Sequence, residues 1–175
     1  MRPSDAQHLF DQLYADHQRP LHAFFLGRTS DRELALDLLQ ELFLRLWRSI
    51  QVVEALPAER RHHWLYSVAR NLVVDTYRTR AAGAAAVDRL QSLTAPDTAD
   101  APETTALQSE QVDRLDRAIH TLPDDLRVVL VLHVLGERTS SQVGEILGRP
   151  AGTVRYQLAR ARRRLADALA GDQAS

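Results

Sequence analysis

Six arginines and no acid fall in GRPAGTVRYQLARARRRL, Gly148 to Leu165, within a chain whose formal net charge is −1. A guanidinium pairs with phosphate oxygens and can also read the guanine edge in a DNA major groove. Cations at a helix C-terminus are mildly favoured by the helix dipole, which accounts for Arg162 to Arg164 without any ligand. It does not account for Arg149 and Arg155, which lie at a turn and a helix start. The residues expected to meet DNA here are Arg149, Gly152, Thr153, Arg155, Tyr156, Gln157, Arg160 and Arg163. A basic helix could instead lie on a membrane, but this one offers no Trp or Phe for that purpose.

A second stretch, HHWLYSVARNLVVDTYRTR, interleaves aromatics, amides and cations. That mixture stacks on bases and pairs with phosphates, the chemistry of single-stranded nucleic acid. Its candidates are Trp64, Tyr66, Arg70, Asn71, Tyr77, Arg78 and Arg80, although Trp64, Leu65 and Val68 fit a core equally well. A third stretch, DRELALDLLQELFLRLWRSI, is acidic early and aromatic late. Most of it reads as a core helix with a solvated side. Its polar face, Asp37, Gln40, Glu41 and Arg45, is a candidate docking surface for a protein partner. Catalysis finds no footing: there is no Cys, no His-Glu-x-x-His, no Gly-rich phosphate loop and no Gly-x-Ser-x-Gly. No catalytic residue, metal or cofactor is expected, and the scattered histidines read as exposed loop residues.

The elements that position these groups are helices. Leu34, Leu38, Leu42 and Leu46 recur at helical spacing, as do Val112, Leu115 and Ile119. Strand alternation is missing from the sequence, so an all-α fold is expected. Pro123 suits a first helical turn, with Asp124 and Asp125 favouring that end of the dipole. That helix should stop at Gly136. Thr139 and Gln142 fit a capping box opening a short helix, Ser140 to Leu147. Gly148 ends it, and Pro150 prepares a new helix from about Ala151. Short helix, Gly-containing turn and second helix make a helix-turn-helix. Val154, Leu158, Ala161 and Leu165 should pack inward.

Between the two halves, Ala81 to Gln108 is rich in Ala, Thr, Asp and Pro and lacks aromatics. It reads as a flexible linker with a helical start around Ala84 to Leu90. Residues 1–80 and 109–175 are then two small helical domains. At 175 residues and 45% hydrophobic content, cores of that size are feasible. The N-terminal residues lack a signal-peptide apolar run, and Val128 to Leu132 is too short to span a bilayer. A cytoplasmic protein without membrane insertion is expected.

Together these segments resemble the extracytoplasmic-function (ECF) group of bacterial RNA polymerase sigma factors. DLLQELFLRLW looks like the family's clamp-binding helix at Asp37, Gln40, Glu41 and Phe43. WLYSVARNLVVDTYR is similar to its minus-ten segment at Trp64, Leu65, Ala69, Asn71 and Asp75. The segment from Leu122 to Leu165 matches its C-terminal domain, with Gly152 to Val154 and Arg160 to Arg162 in place. Tyr156 and Gln157 depart from the small and basic residues common there. The resemblance implies that the first domain binds the polymerase clamp and opens the minus-ten element, which His63, Trp64, Arg70, Asn71, Asp75 and Arg78 would contact. A base-capturing loop would lie at about Val52 to His63, ahead of a helix from Trp64 to Arg80. The second domain would read the minus-thirty-five element and meet the flap, with the linker threading toward the RNA exit region. An anti-sigma protein and a monomeric free state are further implications. The competing reading is an autonomous helix-turn-helix regulator, which would need a dimer to span two half-sites.

Overall fold

The computed structural model describes residues 3–88 and 114–171, and every regular element among them is helical. In chain order these are α1 (Pro3–Thr29), α2 (Arg32–Arg48), α3 (Ile50–Glu54) and α4 (Ala58–Asp88), then α5 (114–120), α6 (Asp124–Val134), α7 (Ser140–Leu147) and α8 (Ala151–Gly171). Most of the segment expected to be a linker, 89–108, lies outside the described residues.

The first half is built on α1 and α2. Asp31 caps α2, its Oδ1 accepting from the Leu34 amide at 3.0 Å. That bond is the main reason its carboxyl is held below the usual range, and the Arg80 guanidinium at 3.4 Å adds to it. The leucine row on α2 turns inward: Leu38, Leu42 and Leu46 are buried, with Leu34 packed at their edge. Phe24 and Phe25 of α1 are fully enclosed, each burial stabilising by roughly 1.5–3 kcal/mol.

Several elements differ from the sequence expectation. α4 starts at Ala58 and runs through Asp88, eight residues past the expected boundary at 80. The alanine-rich run that composition marks as linker simply continues the helix, alanine being the best helix former. The segment 52–63 is not an open loop: α3 and α4 leave only 55–57 between them. Arg61 ties that short turn down, donating to the carbonyls of Leu56 at 3.2 Å and Glu54 at 3.1 Å. The left-handed residue after α6 is Glu137, at φ 52°, rather than Gly136. Its carboxylate reaches Arg19 of α1 at 2.9 Å, an exposed ion pair between the two halves. The histidines also differ. His17, His22, His62, His63 and His133 all sit on helices, and His17 and His22 are half-buried because they face the packed side of α1.

The helix-turn-helix forms where the residues place it. Thr139 and Gln142 close a reciprocal capping box, at 3.3 and 3.0 Å. Gly148 ends α7 in the left-handed region at φ 66°, where a side chain would be strained. Val154, Leu158 and Ala161 of α8 are buried, and Leu165 packs against the same core.

The two halves pack together along α1 and α6. Leu126 to Leu132 of α6 are buried without interruption, because α1 covers one side and α7 and α8 the other. The approach is close: a Cβ on Gly27 would lie 2.8 Å from Val128 Cα. Beside this contact, the buried Arg127 donates from Nε to the Gly27 carbonyl at 3.2 Å. Its Nη atoms bond the His120 and Leu122 carbonyls and the Asp124 carboxylate. A buried guanidinium bonded at all three nitrogens and paired with a carboxylate avoids the cost of a lone interior charge.

Candidate nucleic-acid interface

On α8, burial of Val154, Leu158 and Ala161 leaves the opposite side free. Gly152, Thr153, Arg155, Tyr156, Arg160 and Arg163 are exposed there and share one face at helical spacing. Tyr156 is 63% exposed, and the Arg160 guanidinium lies over its ring at 5.7 Å. That stack holds a cation and an aromatic side by side on the outward surface. Gln157 is different. It is half-buried, its Nε2 donates to Asp125 of α6 at 3.2 Å, and its Oε1 accepts from Arg149 at 3.0 Å. This amide fixes Arg149 and braces α8 on α6 rather than facing outward. The bracing pair lies 32 residues away in sequence, beyond the reach of helical periodicity.

α4 presents a second polar face. Leu65, Tyr66, Ala69, Leu72 and Val73 are buried, while His63, Arg70, Asn71, Asp75 and Arg78 are exposed. Trp64 is half-buried and packs against the core, so much of its ring serves the fold. Tyr77 is exposed but its hydroxyl donates to the Arg28 carbonyl at 2.6 Å, clipping α4 to the end of α1. Arg70 Nη1 is occupied too, donating to the Ile146 carbonyl of α7 at 3.1 Å.

α2 carries the third surface. Asp37 and Gln40 are exposed, and Arg45 Nε pairs with Glu41 Oε1 at 2.8 Å. Beside them α1 and α2 enclose an apolar groove of about 570 Å³, lined by Phe10, Tyr14, Leu36, Phe43, Leu44 and Trp47. Asp37 and Gln40 lie on its wall. The rings interlock, with Phe10 and Trp47 edge to face at 5.4 Å and Tyr14 and Phe43 at 4.6 Å. Tyr14, Leu36, Leu44 and Trp47 remain 42–54% exposed, an apolar patch of the kind that marks a protein contact. The α1 contribution was missed from sequence. Its signal is Phe10 and Tyr14, four residues apart and aligned on one helix face.

Burial holds His17, His22 and His62 below the ordinary histidine value. Arg138 adds to this at His17, and His63 at His62. Among the described residues no group of three or more His, Cys, Asp or Glu could hold a metal ion. None of the described helices is long and apolar enough to cross a membrane.

Residues 13–83 match the family described as Sigma-70 region 2, and residues 113–165 the family described as Sigma-70, region 4. The probable RNA polymerase sigma factor RfaY of Xanthomonas campestris pv. campestris is 31% identical over 163 residues, covering 89% of this chain but 39% of that protein. The ECF RNA polymerase sigma factor SigM of Bacillus subtilis is 30% identical over 155 residues, covering 89% of this chain and 91% of that one. Among solved structures, the sigma factor RpoE of Bartonella quintana, in complex with the anti-sigma factor NepR, has a similar fold. The TM-score is 0.62 at 22% identity, over 93% of this chain and 97% of that one.

Proposed function

Because this chain belongs to the ECF group of bacterial RNA polymerase sigma factors, we propose that its three exposed faces divide the work of promoter recognition. The α2 face, Asp37, Gln40, Glu41 and Arg45, together with the aromatic groove beside it, docks on the polymerase clamp. The exposed side of α4, with His63, Trp64, Arg70, Asn71, Asp75 and Arg78, holds the opened minus-ten strand. The outward face of α8, centred on Arg155, Tyr156 and Arg160, enters the major groove of the minus-thirty-five element. Arg149 contacts phosphate from the turn, with Gln157 fixing its position.

The observation that carries this reading is the mounting of α8. A second helix, placed behind a capped short helix and a left-handed glycine, buries an apolar stripe and turns arginines outward. That is the geometry by which a recognition helix reaches base edges. In this reading the chain directs where the polymerase starts, and the chemistry belongs to the polymerase. The domain limits 1–80, 81–108 and 109–175 belong to the same reading, with α4 carrying the first domain's last helix to 88. An anti-sigma protein is the proposed regulatory partner, and the Bartonella relative was solved with one.

Transcription in vitro with polymerase core and a randomised promoter library tests this. Core-dependent transcripts sharing two elements at fixed spacing are expected. A core-independent dimer on a palindrome would point instead to an autonomous regulator.

A further inference from the structure

Arg70 stands on the face of α4 assigned to the minus-ten strand, yet in this structure it serves the other half of the molecule. Its Nη1 donates to the Ile146 carbonyl at 3.1 Å, and its Nη2 reaches Ser67 Oγ at 3.4 Å. Ile146 belongs to the last turn of α7, where carbonyls lack an intrahelical donor. Arg70 therefore caps the first helix of the helix-turn-helix from across the seam. The seam continues on both sides. Arg138 donates to the Asp16 carbonyl at 3.1 Å, and Arg19 to the Leu135 carbonyl at 2.9 Å. Further along lie the Gly27–Val128 approach and the Arg127 bond to the Gly27 carbonyl.

This closed arrangement is incompatible with a promoter. The minus-ten and minus-thirty-five elements lie about 25 base pairs apart, roughly 85 Å at about 3.4 Å per base pair. Here Arg70 of α4 bonds the end of α7, the helix against which the recognition helix α8 is packed. The seam also gathers like charges. Arg28 is held below its ordinary basicity by burial first and then by the nearby charges of Arg149 and Arg70, with Asp124 opposing. A nucleic-acid phosphate relieves such crowding and forms a stronger, charge-assisted bond than a neutral carbonyl does.

We propose that Arg70 is a latch with two mutually exclusive partners: the Ile146 carbonyl in the closed free chain, and a phosphate of the opened minus-ten strand in the active one. The chain thereby restrains its own DNA binding until the helix-turn-helix is released from α4. This rests on the minus-ten assignment of α4, and the two can fail separately.

The chain has no cysteine, so Glu33→Cys and Asp167→Cys, both exposed, accept a donor–acceptor dye pair. Single-molecule energy transfer on the free full chain should show a predominant high-transfer state. Arg70→Ala should raise the open fraction roughly threefold to tenfold, the range for losing one partly exposed charged hydrogen bond. Arg70→Lys should fall between. Gly27→Leu wedges the seam independently and shows that the assay registers opening. Should it fold poorly, Arg138→Ala, which removes the Asp16 contact, takes its place. An unchanged distribution for Arg70→Ala, or a wild-type chain already open, overturns the latch. Anisotropy with a single-stranded oligonucleotide carrying the library-derived minus-ten sequence supplies the other arm, comparing the opened variant with and without Arg70→Ala. Lost affinity is expected. Equal affinity overturns the exchange and with it the minus-ten role of Arg70. Lost affinity with unchanged distances leaves that role standing and removes the latch alone.

Discussion

Arg155 is the side chain on which minus-thirty-five specificity is expected to turn. It is exposed one helical turn into α8, and no hydrogen bond of the described structure engages it. Arg155→Ala should cost about 1–3 kcal/mol in binding to a promoter duplex and relax preference at one base pair, if its contact is bidentate to guanine. Gel-shift titrations on a panel of single-base variants measure both; a uniform loss would mark a phosphate contact. The histidines set a pH dependence. His17 and His22 are held below the ordinary value of about 6.5, by burial in both and by Arg138 at His17, with Asp16 opposing and His62 assisting. The folded state thus binds fewer protons than the unfolded chain as pH falls below that value. Their contribution is complete above about pH 6.5 and is lost as pH drops through the folded-state values. Urea midpoints should decline from pH 7 to pH 5, and His17→Gln with His22→Gln should flatten that slope; an unaltered slope would assign it elsewhere. The outward arginines of α8 were legible in sequence because residue type and helical spacing suffice to place them. The duties of Gln157 and Arg70 were not, since their partners Asp125 and Ile146 lie 32 and 76 residues away.

Among the elements, α7 and α8 were readable nearly to the residue. Thr139, Gln142, Gly148 and Pro150 act through local backbone chemistry, which tertiary packing does not override. α4 was less readable at both ends. The resemblance implied a loop before it and composition a linker after Arg80, whereas the helix begins at Ala58 and continues through the alanine run to Asp88. α2 was read for its polar face, while its Leu36, Phe43, Leu44 and Trp47 line the groove completed by Phe10 and Tyr14. Pairing between helices leaves no periodic mark, so that groove needed the fold. Replacing Gln40 and Glu41 together by Ala should weaken core polymerase binding by roughly 1–2 kcal/mol, the range for residues inside a contact. Fluorescence competition for core measures it, and binding of the full chain to a minus-thirty-five duplex should not change. Equal affinity for core would remove this face from the clamp contact.

For the whole molecule, the packing of α1 on α6 makes one continuous core from two halves. Two domains and a connecting segment could be inferred from composition; their contact could not, because it rests on Gly27 meeting Val128 and on an arginine inside an apolar run. Gly27→Leu should lower the unfolding free energy by about 1–3 kcal/mol through overpacking, read as a reduced urea midpoint. A wild-type midpoint would show that the seam yields without cost. α6 carries a wider consequence. It has no solvent-facing stripe from Leu126 to Leu132 and lends each side to a different half. A compensating change in one half cannot repair damage that the other half also feels. In a population of random variants, α6 is therefore the stretch where the fewest alternatives survive, and its sequence should drift most slowly for reasons of packing alone.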